Sequence, residues 1–306
     1  MVRVMKRDID KISAAETAAL LNLDVSGPDR TVSGASPFPP DAPDCLSFFG
    51  RDGGAPDALP SGTVVIAREA ARDALLAAGA TVIVSSNPKY DFCRLFALRR
   101  PETEWVVHPS AVIGRKVELA ERVAIGPGTL LDGEIRVGVG TRIGANVVLR
   151  NRIIIGENVT LRNGGVIGED AFSFGFSETD HAKADAIRFP CFGGVVISDR
   201  VEIGNNCVIS RGTFRDTILG EGARINDLAH IGNEVRIGAR STITAHTDIS
   251  ARVVIGEGVW VGQSAAVRQG LAIGDRATVG MGAVVIRDVA ADSMVMGVPA
   301  RAVWKG

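Results

Sequence analysis

From Val107 onward this chain repeats in sixes. Val107, Ile113, Leu119, Ile125, Leu131, Val137, Ile143, Leu149, Ile155, Leu161 and Ile167 are all aliphatic and all six apart. The register returns at Ile197, Ile203 and Ile209, slips by four residues, and then runs unbroken from Leu219 to Val285. Two places before each of these sits a small or β-branched residue, among them Ala111, Val117, Val123, Thr129, Ala223, Ala229, Val235 and Ser241. Glycine often follows, as at Gly126, Gly138, Gly232, Gly238 and Gly274. A short fixed repeat with glycine at its turns is the signature of a solenoid, here a parallel β-helix.

The repeat has a physical reading. Residues i and i−2 of a strand point the same way, so each hexad buries its aliphatic residue and the small one before it. The other positions make an outward residue and a corner. Glycine is expected to supply backbone freedom at that corner. Three sides close one triangular coil, and successive coils stack about 4.8 Å apart. Residues n and n+18 therefore lie above one another. A β-sandwich would show irregular strand lengths and no such register. The fold class is mainly β: a left-handed parallel β-helix of hexapeptide repeats with a small N-terminal α/β domain. Only 5% of residues are aromatic, which suits a thin aliphatic core.

Net charge is −1, from 34 basic and 35 acidic residues, so nothing asks for a nucleic-acid partner or an anionic membrane surface. Cys45, Cys93, Cys191 and Cys207 are scattered without CxxC spacing, the pattern of a reduced, cytoplasmic protein. No apolar stretch follows the first charges, and no apolar run approaches 20 residues, so neither a signal peptide nor membrane insertion is expected.

Before the repeat the pattern is different. Ser13-Ala14-Ala15-Glu16 reads as a capping box opening a helix to about Leu23. Strands are expected at Cys45–Phe49, Gly62–Ile66 and Thr81–Val84, with helices at Arg68–Ala78, ended by Gly79, and at Lys89–Leu98 after Asn87-Pro88. The domains are drawn as 1–104 (α/β, nucleotide-binding), 105–288 (β-helix) and 289–306 (C-terminal cap). The register lapses between Gly168 and Gly194, and a smaller excursion lies at Gly212 to Thr217. A long departure from a rigid solenoid is usually functional.

Candidate chemistry is sparse. The four histidines are His108, His181, His230 and His246. His230 immediately precedes Ile231 and so points outward. The stacking rule places Asp248 directly above it, an arrangement suited to a general base and the carboxylate that holds its tautomer. His246 stacks over Leu228 at a corner and is the second candidate base. His181 lies in the long excursion. No metal set, P-loop, dinucleotide fingerprint or nucleophile elbow is present.

These stretches resemble a known family, the hexapeptide-repeat acyltransferases of the left-handed β-helix class, and within it the UDP-3-O-acylglucosamine N-acyltransferases of lipid A synthesis. Leu46-Ser47-Phe48-Phe49 resembles the family's uracil-contacting strand. Asn87-Pro88-Lys89-Tyr90 resembles its second NP segment, and Phe172 to Gly194 its substrate loop. The run SRGTFRDTILGEGARINDLAHIGNEVRIG, insertion included, resembles its longest motif. The resemblance implies a homotrimer with sites between subunits. It implies a nucleotide amino sugar held by Phe48, Phe49, Arg51, Phe174 and His181. It also implies an acyl donor held near Ala251, Gly262, Gly280 and Arg301, with no permanently bound cofactor. Asn233 stands where the family has its general-base His, and His230 stands three residues earlier. Arg51 and Gly54 occupy the places of the family's uracil-binding Asn and Tyr. The family's C-terminal helical extension, which helps recruit acyl carrier protein, is not expected after Gly297–Arg301. The expectation is an N-acyltransferase using acyl-CoA and a nucleotide-linked amino sugar, with His230, Asp248, Asn233 and His246 at the reaction and Ala251 supplying the oxyanion N–H. The alternatives are the acyl-carrier-protein-dependent lipid A enzyme itself and a non-catalytic sugar-nucleotide binding homologue.

Overall fold

The computed structural model describes residues 7–51, 54–99, 104–179 and 184–303. Contacts divide the chain into two compact units, Met1–Thr103 and Glu104–Gly306.

The first unit is a three-layer α/β domain. Its strands are β1 (Arg7–Ser13), β2 (Val25–Ser26), β3 (Thr31–Ala35), β4 (Cys45–Phe49), β5 (Val64–Ala67) and β6 (Thr81–Val84), and its helices α1 (Ala14–Leu21), α2 (Arg72–Ala77) and α3 (Pro88–Leu98). The sheet order is β1-β3-β4-β5-β6-β2. The strands from β3 to β6 are parallel, and β1 and β2 add antiparallel edges. The capping box forms as expected: Glu16 N donates to Ser13 Oγ, and Ser13 N donates to Glu16 Oε2. Alternation along the strands divides the core. Leu46, Val64, Ile66 and Ile83 pack with Leu21 and Leu95 on one face. Phe49, Val65, Ala67 and Val82 pack with Ala71 and Leu75 on the other.

The second unit is the β-helix. Its three faces are columns of two- and three-residue strands joined in register. The first face stacks Ile113, Leu131, Leu149, Ile167, Ile209, Ile231, Ile249, Val267 and Val285. The second runs from Leu119 to Ile273 and the third from Ile125 to Val279. From Ile125 and Leu131 onward these aliphatic side chains belong to one continuous core, while Leu119 packs against it half-buried and Ile113, in the first coil, is exposed. The stacking interval is 18 residues, as with His230 and Asp248. It widens to 42 across the long excursion and to 22 across the short one. Both excursions leave from the edge between the first and second faces, after Ile167 and after Ile209. Two earlier coils cross the same edge as unbroken strands, Leu130–Val137 and Val148–Ile155.

The corners are built differently from the expectation. The left-handed residue falls three places after the buried aliphatic; glycine takes it at some corners, such as Gly128 and Gly270, but a residue with a side chain takes it at more of them. Asn146 (φ 55°), Leu228 (61°), Glu234 (59°), His246 (59°) and Arg252 (57°) all adopt it. The glycines directly after the aliphatic residue answer a different need, the close approach of the next coil. A Cβ on Gly238 would lie 2.4 Å from the Gly256 backbone, and one on Gly232 would lie 2.8 Å from Ala251 N.

The buried small polar residues are satisfied by the same stacking. Thr129 Oγ1 donates to Gly144 O at 2.7 Å and accepts from Val147 N. Past Val285 the stack continues, with Val295 over Val279, and the hairpin Met294–Met296/Arg301–Val303 closes the end. Among the described residues no helix is long and apolar enough to cross a membrane.

Candidate functional site

His230 and Asp248 are successive outward residues of the first face, which is why their side chains meet. His230 Nδ1 lies 2.8 Å from Asp248 Oδ1, and the side chains are 50% and 56% exposed. With Nδ1–H donating to the carboxylate, Nε2 is left facing outward with its lone pair. The column below is apolar, running through Val166 and Val208.

The remaining candidates occupy the two edges of this face. Asn233, Glu234 and Ala251 lie on the edge between the first and second faces. Asn233 is buried, at 9% exposure, and its carbonyl accepts from Arg252 N. The half-buried Ala251 has no acceptor for its N–H among the described residues, which leaves a donor available to an oxyanion. His246 lies on the other edge, between the third and first faces, exposed in the left-handed corner above Leu228, with its N–H on Asp227 O. His246 therefore lies one coil above His230, on an edge of the face, and on the opposite edge from Asn233.

Gly262 and Gly280 follow the third-face residues Val261 and Val279, on His246's edge, and both are buried. A Cβ on Gly262 would strike Met281 N at 2.5 Å, and one on Gly280 would meet Met296 Cβ at 2.8 Å. Coil stacking accounts for these glycines without a ligand. Arg301 is exposed in the closing hairpin. His181 lies outside the described residues.

The excursions are pinned to each other. Phe192 N donates to Thr213 O and Gly193 N to Gly212 O. Arg211 Nε donates to Gly193 O at 2.8 Å, and Asp216 accepts from Gly194 N at 2.7 Å while pairing with Arg152. The long excursion carries its own hairpin, Phe174–Phe176 against Ala186–Arg188. Phe174 packs there edge-on against Phe172, with the Arg188 guanidinium 5.1 Å from its ring centre.

One functional candidate escaped the sequence reading. Glu234 Oε1 accepts from Thr213 Oγ1 at 2.6 Å, Phe214 N at 2.7 Å and Arg215 N at 3.1 Å. Burial opposes the charge. The Thr213 hydroxyl, the two N–H groups and the Arg252 guanidinium outweigh it and hold the carboxyl below its ordinary value. The signal available was the insertion itself, whose extra backbone N–H groups need an acceptor from a neighbouring coil.

In the first unit, Phe48, Phe49 and Arg51 lie together, without Phe174. With Phe38, Gly54 and Phe92 they line a cleft of about 700 Å³ at the carboxyl ends of β3 and β4. Ligands of parallel α/β sheets bind at that end. Phe49 is mostly core, 7% exposed and 4.5 Å from Phe38, whereas Phe48 is half-buried against Phe92.

The UDP-3-O-acylglucosamine N-acyltransferase of Nitratidesulfovibrio vulgaris is 42% identical over 241 residues, covering 72% of this chain and 68% of that one. The chain belongs to this family. Within this family, the Coxiella burnetii UDP-3-O-acylglucosamine N-acyltransferase is 35% identical over 170 residues, and the chain spans about half (50%) of its length. Residues 252–287 match the hexapeptide repeat of succinyl-transferase. Among solved structures, the UDP-N-acetylglucosamine acyltransferase of Campylobacter jejuni aligns with a TM-score of 0.55 at 18% identity, over 64% of this chain and 73% of that one. This likeness carries the left-handed β-helix fold. The family relationship fits the alternative reading of the sequence better than its main one.

Proposed function

We propose that this chain is an N-acyltransferase that moves an acyl group from a phosphopantetheine thioester to the amine of a UDP-linked 3-O-acylglucosamine. The observation that carries this reading is the 42% identity to the Nitratidesulfovibrio vulgaris relative over 241 residues. The donor is acyl carrier protein, as the resemblance implies, and the working form is a homotrimer. The cleft around Phe48 and Arg51 supports a nucleotide site in the first unit, with Phe48 against the base.

The reaction asks little of the protein's side chains. The amine lone pair attacks the thioester carbonyl and forms the C–N bond while the carbonyl electrons move to oxygen. An N–H at Ala251 would meet that oxyanion. Collapse restores the carbonyl and expels the thiolate, and the proton lost by nitrogen passes to the sulfur. His230 Nε2 would carry that proton, with its tautomer held by Asp248. In the resemblance the family's base aligns with Asn233, whose amide cannot take a proton at neutral pH. The exposed His230–Asp248 pair on the same level supports a displaced base.

The test is turnover of UDP-3-O-acylglucosamine by the purified chain, with acyl carrier protein and CoA thioesters compared side by side and oligomer mass read by light scattering. Amide formation with the carrier-protein donor is expected. Absence of product with both donors would sink the enzymatic reading in favour of a non-catalytic binding protein.

A further inference from the structure

The apex of the short excursion is capped by one carboxylate, that of Glu234. Glu234 belongs to the coil above it and sits in the left-handed corner directly after Asn233. Its backbone N–H donates to Thr217 Oγ1 at 2.9 Å, and that hydroxyl donates to Ser210 O at 2.8 Å, so the residue ties both ends of the excursion. Its carboxylate ties the apex through Thr213, Phe214 and Arg215.

The consequence is the placement of an aromatic side chain. Phe214 is 68% exposed, yet its backbone N–H is fixed. Its ring lies nearly parallel to Phe192, 22° between planes and 6.0 Å between centres, and edge-on to Phe189 at 5.7 Å. Phe192 is itself 64% exposed. The stacked pair stands on the edge that carries Asn233 and the N–H of Ala251. Two exposed rings held this firmly beside a candidate acyl-transfer site form an apolar surface of fixed orientation, suited to a linear hydrocarbon.

We propose that Glu234 is a positioning residue: it fixes the 212–217 excursion so that Phe214, stacked on Phe192, stands as a wall for the acyl chain of the donor. This rests on the proposed acyl transfer. Glu234 touches no reacting atom and sets how the chain is held, not the chemical step.

The test compares wild type with Glu234→Ala, Glu234→Gln and Phe214→Ala. It measures turnover, binding of unreactive thioether analogues of acyl-pantetheine carrying a two-carbon or a twelve-carbon chain, and amide exchange at Phe214 and Arg215. Glu234→Ala is expected to raise KM for the long-chain donor about tenfold with little change in kcat, the size of one charge-assisted hydrogen bond network lost. It should weaken the long analogue equally, leave the short one untouched and expose both amides to exchange. Glu234→Gln should recover most of the loss, because its amide oxygen accepts from the same donors. Phe214→Ala should reproduce the KM effect, and the double variant should add nothing to it. A fall in kcat at constant KM would place Glu234 in the chemistry and overturn the proposal. So would equal losses for both chain lengths, or a Phe214→Ala protein whose main change is a smaller oligomer, since the wall would then be covered by a second copy. If wild type shows no turnover but binds the long analogue in a Glu234-dependent way, the positioning role stands and the proposed reaction falls. If wild type binds neither analogue, both fall.

Discussion

The most specific chemistry in this molecule is one imidazole against one carboxylate. His230 and Asp248 meet because the stacking interval makes them vertical neighbours, at 2.8 Å. An exposed pair of this kind adds little to stability, since exposed ion pairs contribute about 0–1 kcal/mol. Its replacement should therefore be read in rate and not in folding. His230→Ala is expected to lower kcat/KM by about 10²-fold or more. Asp248→Asn should fall between wild type and that value, because it loosens the ring without removing it. His246→Ala should stay close to wild type, for His246 sits on the other edge of the face. Steady-state kinetics on folded variants decide this, and an active His230→Ala beside a dead His246→Ala would reverse the assignment. His230 and Asp248 were legible in the sequence because a strict period converts sequence separation into contact. Glu234 was not, because its partners lie in an insertion that breaks the period.

At the scale of the hexad, the sequence carried the buried column and hid the corner. Ile231, Ile243 and Ile249 are fully buried, which is the regularity that the repeat advertises. The glycines were legible as a pattern but misread in cause. Gly238 is needed because Gly256 of the next coil passes 2.4 Å from where its Cβ would stand. Gly270 is a true corner residue at φ 73° with no atom within 4 Å of its missing Cβ. The two should respond oppositely to substitution. Gly238→Ala forces two coils apart and is expected to cost about 1–3 kcal/mol or more, as overpacking does. Gly270→Asn places a residue already tolerated at Asn146 into the same conformation and should cost under about 1 kcal/mol. Urea midpoints at constant slope measure both; similar losses at the two positions would return the corner explanation to the glycines. In the first unit β1 and β3 escaped notice for another reason. An edge strand such as Arg7–Ser13 carries Asp8, Asp10 and Lys11, so burial marks it only weakly.

At the scale of the whole chain, each unit has hydrophobic cores of its own. The β-helix core runs from Val123 to Val295, and the two cores of the first unit contain only residues from Ile12 to Leu95. A solenoid gains its stability from neighbour-on-neighbour stacking, and here the stack is closed at its end by the Met294–Met296/Arg301–Val303 hairpin. Its surface follows the same interval: Lys116 stacks on Glu134, Glu118 on Arg136 and Asp132 on Arg150, so these vertical neighbours pair opposite charges. Residues 104–306 expressed alone are therefore expected to keep the sheet signal in circular dichroism and to unfold cooperatively at the urea midpoint that the solenoid shows in the full chain. The nucleotide should then bind the 1–103 fragment and not the solenoid fragment, since Phe48, Phe49 and Arg51 all line one cleft within that unit. A solenoid fragment that loses its sheet signal would mean that the first unit contributes to the second unit's folding. Nucleotide held by neither fragment would mean that its site draws on both.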